Sequence, residues 1–145
     1  MMQDEMLKGF LVGHLGMSDE DLEKISPEQE EELKHVGAKG GRYRVVAEVV
    51  NSKYCSAGLK PGQKYVIEPA QQINLGESTA PLCLGALAPL GYRMEVYLDR
   101  MGHSGEGDMT SSLRNFRCTD PGIGSNGLGT VEFKVSIEEV KEEKK

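Results

Sequence analysis

The stretch TVEFKVSI, residues 130–137, alternates without a break, with Val131, Phe133, Val135 and Ile137 on one side and Glu132, Lys134 and Ser136 on the other. Successive side chains of a strand point to opposite faces, so this pattern requires a sheet with one dry face and one wet face. The same period begins at Arg42: RYRVVAEVV sets Tyr43, Val45, Ala47 and Val49 against Arg42, Arg44 and Glu48. KPGQ then offers a Pro-Gly turn and KYVIE another strand, so residues 42–68 are predicted to form a long-looped β-hairpin. LRNFRC, residues 113–118, is a further predicted strand.

A dry sheet face needs a cover, and ESTAPLCLGALAPLGYRMEVYLDRMG supplies one. Ser78 or Thr79 can cap a helix there, and Pro81 stands where a first-turn proline belongs. Pro89 and Gly91 are expected to break it into an apolar helix over 81–88 and an amphipathic one over 91–101. The predicted fold is α+β: a small, mainly antiparallel sheet packed by a helix, with an N-terminal helical arm.

In that arm, Leu7, Phe10, Leu11, His14 and Leu15 recur at helical spacing, and Gly16 is a plausible terminator. Two start signals follow: SDED, with Ser18 as cap, and SPEQ, with Ser26 as cap, Pro27 in the first helical position and Gln29 completing a capping box. The second of these helices is predicted to end near His35, with Gly37, Gly40 and Gly41 as a hinge-like linker. The expected divisions are an arm over 1–41, a core over 42–138 and a charged tail over 139–145, frayed or helical.

With 145 residues, 38% of them hydrophobic and 28% charged, the chain has the composition of one soluble globular domain. A formal charge of -6 argues against a nucleic-acid surface, which needs clustered Lys and Arg. No apolar run approaches the roughly 20 residues that span a bilayer. MMQDEMLKGFLVGHL carries Asp4 and Glu5 at its start and is broken by Lys8, two glycines and His14, so no export signal is expected. Three widely spaced cysteines do not make a disulfide framework, and a reducing cytoplasm is the expected setting. The carboxylates between residues 17 and 34 have two readings, a solvated helix surface or an acidic docking face for a basic protein partner.

Chemistry, if present, centres on the thiols. Cys83 is predicted in the first turn of the covering helix, where unpaired amides and the helix dipole favour a thiolate. Cys55 is expected in a turn after the first strand, and Cys118 at a strand end before a glycine-rich loop. Three readings stay open: buried thiols that only pack, a shared metal or redox site taking zinc or iron, or a single nucleophile at Cys83. The spacing matches no common zinc pattern. His103, Asp120 and Ser125 are the secondary candidates; His14 is expected to be packed and His35 to sit in a last helical turn. Asp99, Glu106 and Asp108 read as surface carboxylates. Asp120 is expected to accept backbone hydrogen bonds in an Asx-type turn. The loop PGIGSNGLG is no phosphate loop, since a strand and not a helix follows it. Gly122, Gly124, Gly127 and Gly129 let it turn tightly, and they wall a site only if the thiols are there.

Three stretches taken in order carry a family resemblance: CSAGLKPGQKY, with Cys55, Gly58, Lys60, Gly62 and Tyr65; PLCLGALAPL, with Cys83; and RCTDPGIGSNGLGTVEFKV, with Cys118, Asp120, Gly122, Gly127 and Gly129. From about Tyr43 to Ile137 the chain resembles a group of short bacterial and archaeal proteins sharing a conserved cysteine-containing domain of unknown function. LGMSDEDLEK also resembles the helical leader of its longer members. The resemblance implies no activity. Other members are expected to carry a further cysteine where Ser125 stands and an aromatic residue where Leu128 stands, which would leave a four-cysteine site incomplete here. The expected function is a small accessory or binding domain with a metal or redox site at Cys55, Cys83 and Cys118. The alternatives are a thiol enzyme using Cys83 and an interaction protein docking through its acidic arm.

Overall fold

The computed structural model describes residues 2–40, 42–68, 71–103 and 115–140. In chain order it contains α1 (Glu5–Gly13), α2 (Asp19–Leu22), α3 (Pro27–Gly40), β1 (Tyr43–Lys53), β2 (Lys64–Glu68), β3 (Gln72–Ile73), α4 (Leu84–His103), β4 (Asn115–Arg117) and β5 (Thr130–Glu139). The strands form one sheet in the order β3-β2-β1-β5-β4, and every pairing is antiparallel. This is the α+β fold expected from the alternation. Glu106, Asp108, Leu113, Arg114 and residues 141–145 lie outside the described residues.

The predicted hairpin is present, with Val45 opposite Ile67 and Ala47 opposite Tyr65. In its loop, Gln63 N–H donates to the Lys60 carbonyl at 3.1 Å, and Gly62 has φ 90, as a Pro-Gly turn of type II requires. β1 and β5 pair along their length but slip by one residue between Val49 and Asn51. This bulge shifts the alternation, so Ser52 lies opposite Val131 and donates its hydroxyl to the Leu59 carbonyl at 2.6 Å. β5 continues to Glu139, opposite Tyr43. The first residue of the expected tail is thus strand, because β1 offers it a partner.

α4 covers the dry face. Ala86, Leu90, Met94 and Tyr97 form its inward stripe and pack on Val45, Ala47, Val49, Tyr65, Phe133 and Val135. At the centre, the Phe133 ring stacks on Phe116 at 4.8 Å and on Tyr65 at 5.8 Å. The helix departs from expectation at both its start and its middle. It begins at Leu84, with Cys83 as the capping residue, whose carbonyl accepts from Ala86 and Leu87 N–H. Ser78 and Thr79 do not cap it; their hydroxyls accept from Val66 and Lys64 N–H and seal the edge of β2 instead. Nor does Pro89 break it: the helix is continuous. Proline lacks the N–H that would bond the carbonyl four residues back, and that carbonyl, on Gly85, accepts from Thr119 N–H at 2.9 Å.

The arm lies on this core through α3, which packs along α4, while α1 packs on α3. Ser18 and Ser26 cap their helices as expected, accepting from Asp21 and Gln29 N–H. α3 runs past the expected stop at His35 and through Gly37. A single helical glycine costs only about 1 kcal/mol, which packing on α4 can offset. Glu30 is buried, and its Oε1 accepts from the N–H groups of Gln3 and Asp4 at 2.9 Å each, pinning the start of α1. His14 is exposed rather than packed; it stacks on Phe10 at 5.1 Å. No helix among the described residues is long and apolar enough to cross a membrane.

Candidate functional site

Three separate segments bring the cysteines to one place. At the end of β1, Tyr54 takes the left-handed conformation, φ 55. That is costly for a bulky residue, and it turns the chain so that Cys55 opens a tight turn closed by Gly58 N–H on the Cys55 carbonyl, 3.2 Å. Cys83 stands at the start of α4. Cys118 directly follows β4, and its N–H donates to the Val131 carbonyl at 2.9 Å, while its sulfur accepts from Val131 N–H at 3.4 Å. All three thiols are free and half-buried, and all three pack against the rim of the core. Together with Thr119, Asp120 and Gly129 they wall a cavity of about 80 Å³.

The bond from Thr119 to Gly85 joins the Cys118 segment to the Cys83 helix, so Pro89 helps to build the site by leaving that carbonyl free. Asp120 shapes the other wall. Its Oδ1 accepts from Gly122 N–H and Leu128 N–H at 2.9 Å, and its Oδ2 from Gly129 N–H at 3.1 Å. The Asx-type turn expected from the sequence is thus present and spans the whole glycine loop. These amides hold the Asp120 carboxyl below the usual carboxylate range, with the Gly122 bond the largest cause. Gly127 is required for close approach: a Cβ there would lie 2.7 Å from Gly122 N and would overlap Asp120 Oδ1.

A carboxyl whose proton affinity is lowered by folding stabilises the fold above its ordinary range and loses that contribution as pH falls through its folded value. The stability gap between the wild type and Asp120→Asn is therefore expected to be full near neutrality and to shrink below about pH 4. In the variant an amide nitrogen would oppose Gly129 N–H. Denaturant unfolding across that range measures the gap, and a constant gap would detach the carboxylate from the loop.

The secondary candidates scatter. Ser125 is exposed on a single 3-10 turn, Ile123–Ser125, and Gly124 is exposed beside it. Gly122, φ 85, opens that turn. His103 is the last residue of α4, about 30 Å from Cys83 by the rise of a helix of that length. There its Nδ1 meets the Asp99 carbonyl at 2.9 Å and its Nε2 meets Glu32 of α3 at 3.0 Å, and these contacts raise its proton affinity, the carbonyl most. It ties the arm to the core. His35 lies inside α3, not in its last turn.

Sequence reading passed over Tyr65 as a site residue. It is fully buried, and its hydroxyl donates to the Pro81 carbonyl at 2.6 Å. Burial pushes the phenol up, the Cys83 backbone amide pulls against that, and charge on Cys83 or Cys55 pushes it further up. Its hydroxyl therefore lies within electrostatic reach of two of the three thiols. The one signal available was a phenol at a core position of a strand, since a buried Tyr O–H needs a partner.

Zinc or iron would be held by three or four ligands at about 2.0–2.3 Å. Among the described residues, no three His, Cys, Asp or Glu side chains are placed to hold one metal ion. The thiols share a wall without sharing a coordination sphere in this arrangement.

Comparison with known proteins finds no matching family model, no similar curated protein and no similar solved structure.

Proposed function

We propose that the cavity is a dithiol redox site in a small accessory domain, with Cys55 and Cys83 as the exchanging pair and Cys118 as a fixed third thiol. The observation that carries this reading is the meeting of three free thiols from three segments around one cavity. Cys118 is fixed by its bond from Val131 N–H, whereas the sulfurs of Cys55 and Cys83 have no such bond among the described residues and both line the cavity. Cys83 is assigned as the attacking sulfur by its place at the start of α4 on the cavity wall.

The cavity also favours a class of oxidant. At about 80 Å³ it is a small cavity. Its described lining residues include the Asp120 carboxylate and no Lys, Arg or His. A small uncharged hydroperoxide, hydrogen peroxide itself, suits such a space better than a bulky or anionic one.

The reaction balances as two steps. The Cys83 thiolate attacks one peroxide oxygen; the O–O bond breaks, and hydroxide leaves and takes up a proton as water. Cys55 then attacks the resulting sulfenic sulfur, forming the S–S bond and expelling the hydroxyl as a second water with the thiol's proton. The pair gives up two electrons, and a cellular thiol of the reducing cytoplasm returns them. The acidic docking face has less support, because Asp21, Glu30, Glu31 and Glu32 are engaged inside the chain with Lys24, the start of α1, Lys34 and His103.

Titrating fully reduced protein with hydrogen peroxide and mapping the peptides is expected to give one Cys55–Cys83 disulfide per chain, reversible by dithiothreitol and absent in Cys83→Ser. Oxidation of the three thiols singly, without a cross-link, would sink the reading. So would near-stoichiometric zinc or iron in protein purified without oxygen, lost in Cys83→Ser, which would return the cysteines to a metal role.

A further inference from the structure

We propose that Tyr65 is the positioning residue of this thiol pair, its enclosed hydroxyl tying the Pro81–Cys83 segment to β2 and so fixing how Cys83 faces Cys55. The inference rests on the reading of Cys55 and Cys83 as the exchanging pair.

The ring of Tyr65 has no freedom. It projects from β2 opposite Ala47, is fully buried and stacks on Phe133. A buried phenol must place its O–H, and this one donates to the Pro81 carbonyl at 2.6 Å. That bond falls on residue 81 of the short run 81–83, which lies ahead of α4 and has no helical bonds of its own until the Cys83 carbonyl. Cys83 lies two residues beyond the carbonyl that this hydroxyl ties to the sheet, and its own carbonyl accepts the first bonds of α4.

The chemistry of the phenol points the same way. Burial and the neighbouring thiols keep its proton on, so at neutral pH it donates a hydrogen bond and does not serve as the base. Its effect on the reaction is expected in the second step, where the Cys55 sulfur must reach the Cys83 sulfenic acid along the S–O axis, and not in the first, where peroxide diffuses to an exposed face of Cys83.

Tyr65→Phe removes the hydroxyl and keeps the stacked ring. Oxidised with limiting hydrogen peroxide, the variant is expected to form the Cys83 sulfenic acid at the wild-type rate but to close to the disulfide about tenfold more slowly, the effect of one lost hydrogen bond. Dimedone, which traps sulfenic acids, would label Cys83 in the variant and little in the wild type. Cys118 alkylation should not change, as a control for general loosening. A second protein carries a fluorinated tyrosine of lowered phenol pKa at position 65, retaining ring and oxygen. Its closure rate should fall as pH rises through the titration of the analogue, because a phenolate cannot donate to the Pro81 carbonyl. Closure as fast as wild type in Tyr65→Phe, or a flat profile for the analogue, overturns the role of Tyr65 and leaves the redox pair standing. Wild-type protein that never forms the Cys55–Cys83 disulfide overturns both.

Discussion

Phe133→Ala is expected to lower the unfolding free energy by about 3–5 kcal/mol, the usual cost of deleting a buried aromatic ring. Phe133 has 0% exposure and sits on β5 opposite Val49 of β1 and Phe116 of β4. Its ring is the middle of a three-ring stack with Phe116 and Tyr65, in the same buried cluster as Leu90 and Met94 of α4. A cavity left there cannot collapse easily, because its walls are two strands and a helix already in register. A domain is stable by only about 5–15 kcal/mol, so the loss should lower the denaturant midpoint strongly. The site should respond too, since Tyr65 leans on this ring. A loss within about 0.5 kcal/mol, the scale of a surface change, would mean that the stack does not carry the core.

How much of this was legible follows from which groups were local. TVEFKVSI and RYRVVAEVV declared their dry faces because strand alternation depends only on neighbours two residues apart. Ser18, Ser26 and Asp120 could be read for the same reason, each bonding amides a few residues away. Ser78 and Thr79 misled because the oxygen that caps a helix also seals a strand edge, and only the position of β2 decides between them. Continuity of α4 through Pro89 depended on a donor thirty residues later in the chain, Thr119, together with the stripe Ala86, Leu90, Met94 and Tyr97 that spans the proline.

The candidate site was legible as residue types and not as a place. Gaps of 28 and 35 residues between the cysteines say nothing about distance; the meeting depends on the bulge near Val50, the turn at Tyr54 and the Thr119–Gly85 bond. His103 looked as eligible as any ligand in sequence, yet a helix of 20 residues carries it to the far end of the molecule. Tyr65 was hidden because, in the alternation, a phenol that positions a site and an aromatic that fills a core look alike.

Gly129→Ala should be the most damaging single methyl in the loop. A Cβ at Gly129 would lie 2.5 Å from the Lys53 carbonyl oxygen and would overlap the carbonyl of Tyr54. Both obstacles are backbone, so no side chain can rotate aside and the strand ends must part. Overpacking of this kind costs about 1–3 kcal/mol, occasionally more. Three features of the cavity lie at that contact: Cys55 one residue beyond Tyr54, the Gly129 N–H held by Asp120, and the pairing of Lys53 with Thr130 that ends β1 against β5. Gly124→Ala is the matched control, since nothing lies within 4 Å of its Cβ position and its effect should stay within about 0.5 kcal/mol. Denaturant unfolding of the two variants, with Cys55–Cys83 disulfide closure measured on each, separates packing from chemistry. Gly129→Ala should lose stability and closure together, and Gly124→Ala should keep both. If the two behave alike, the loop does not clamp the end of β1, and Cys55 is brought to the other thiols by its own turn alone.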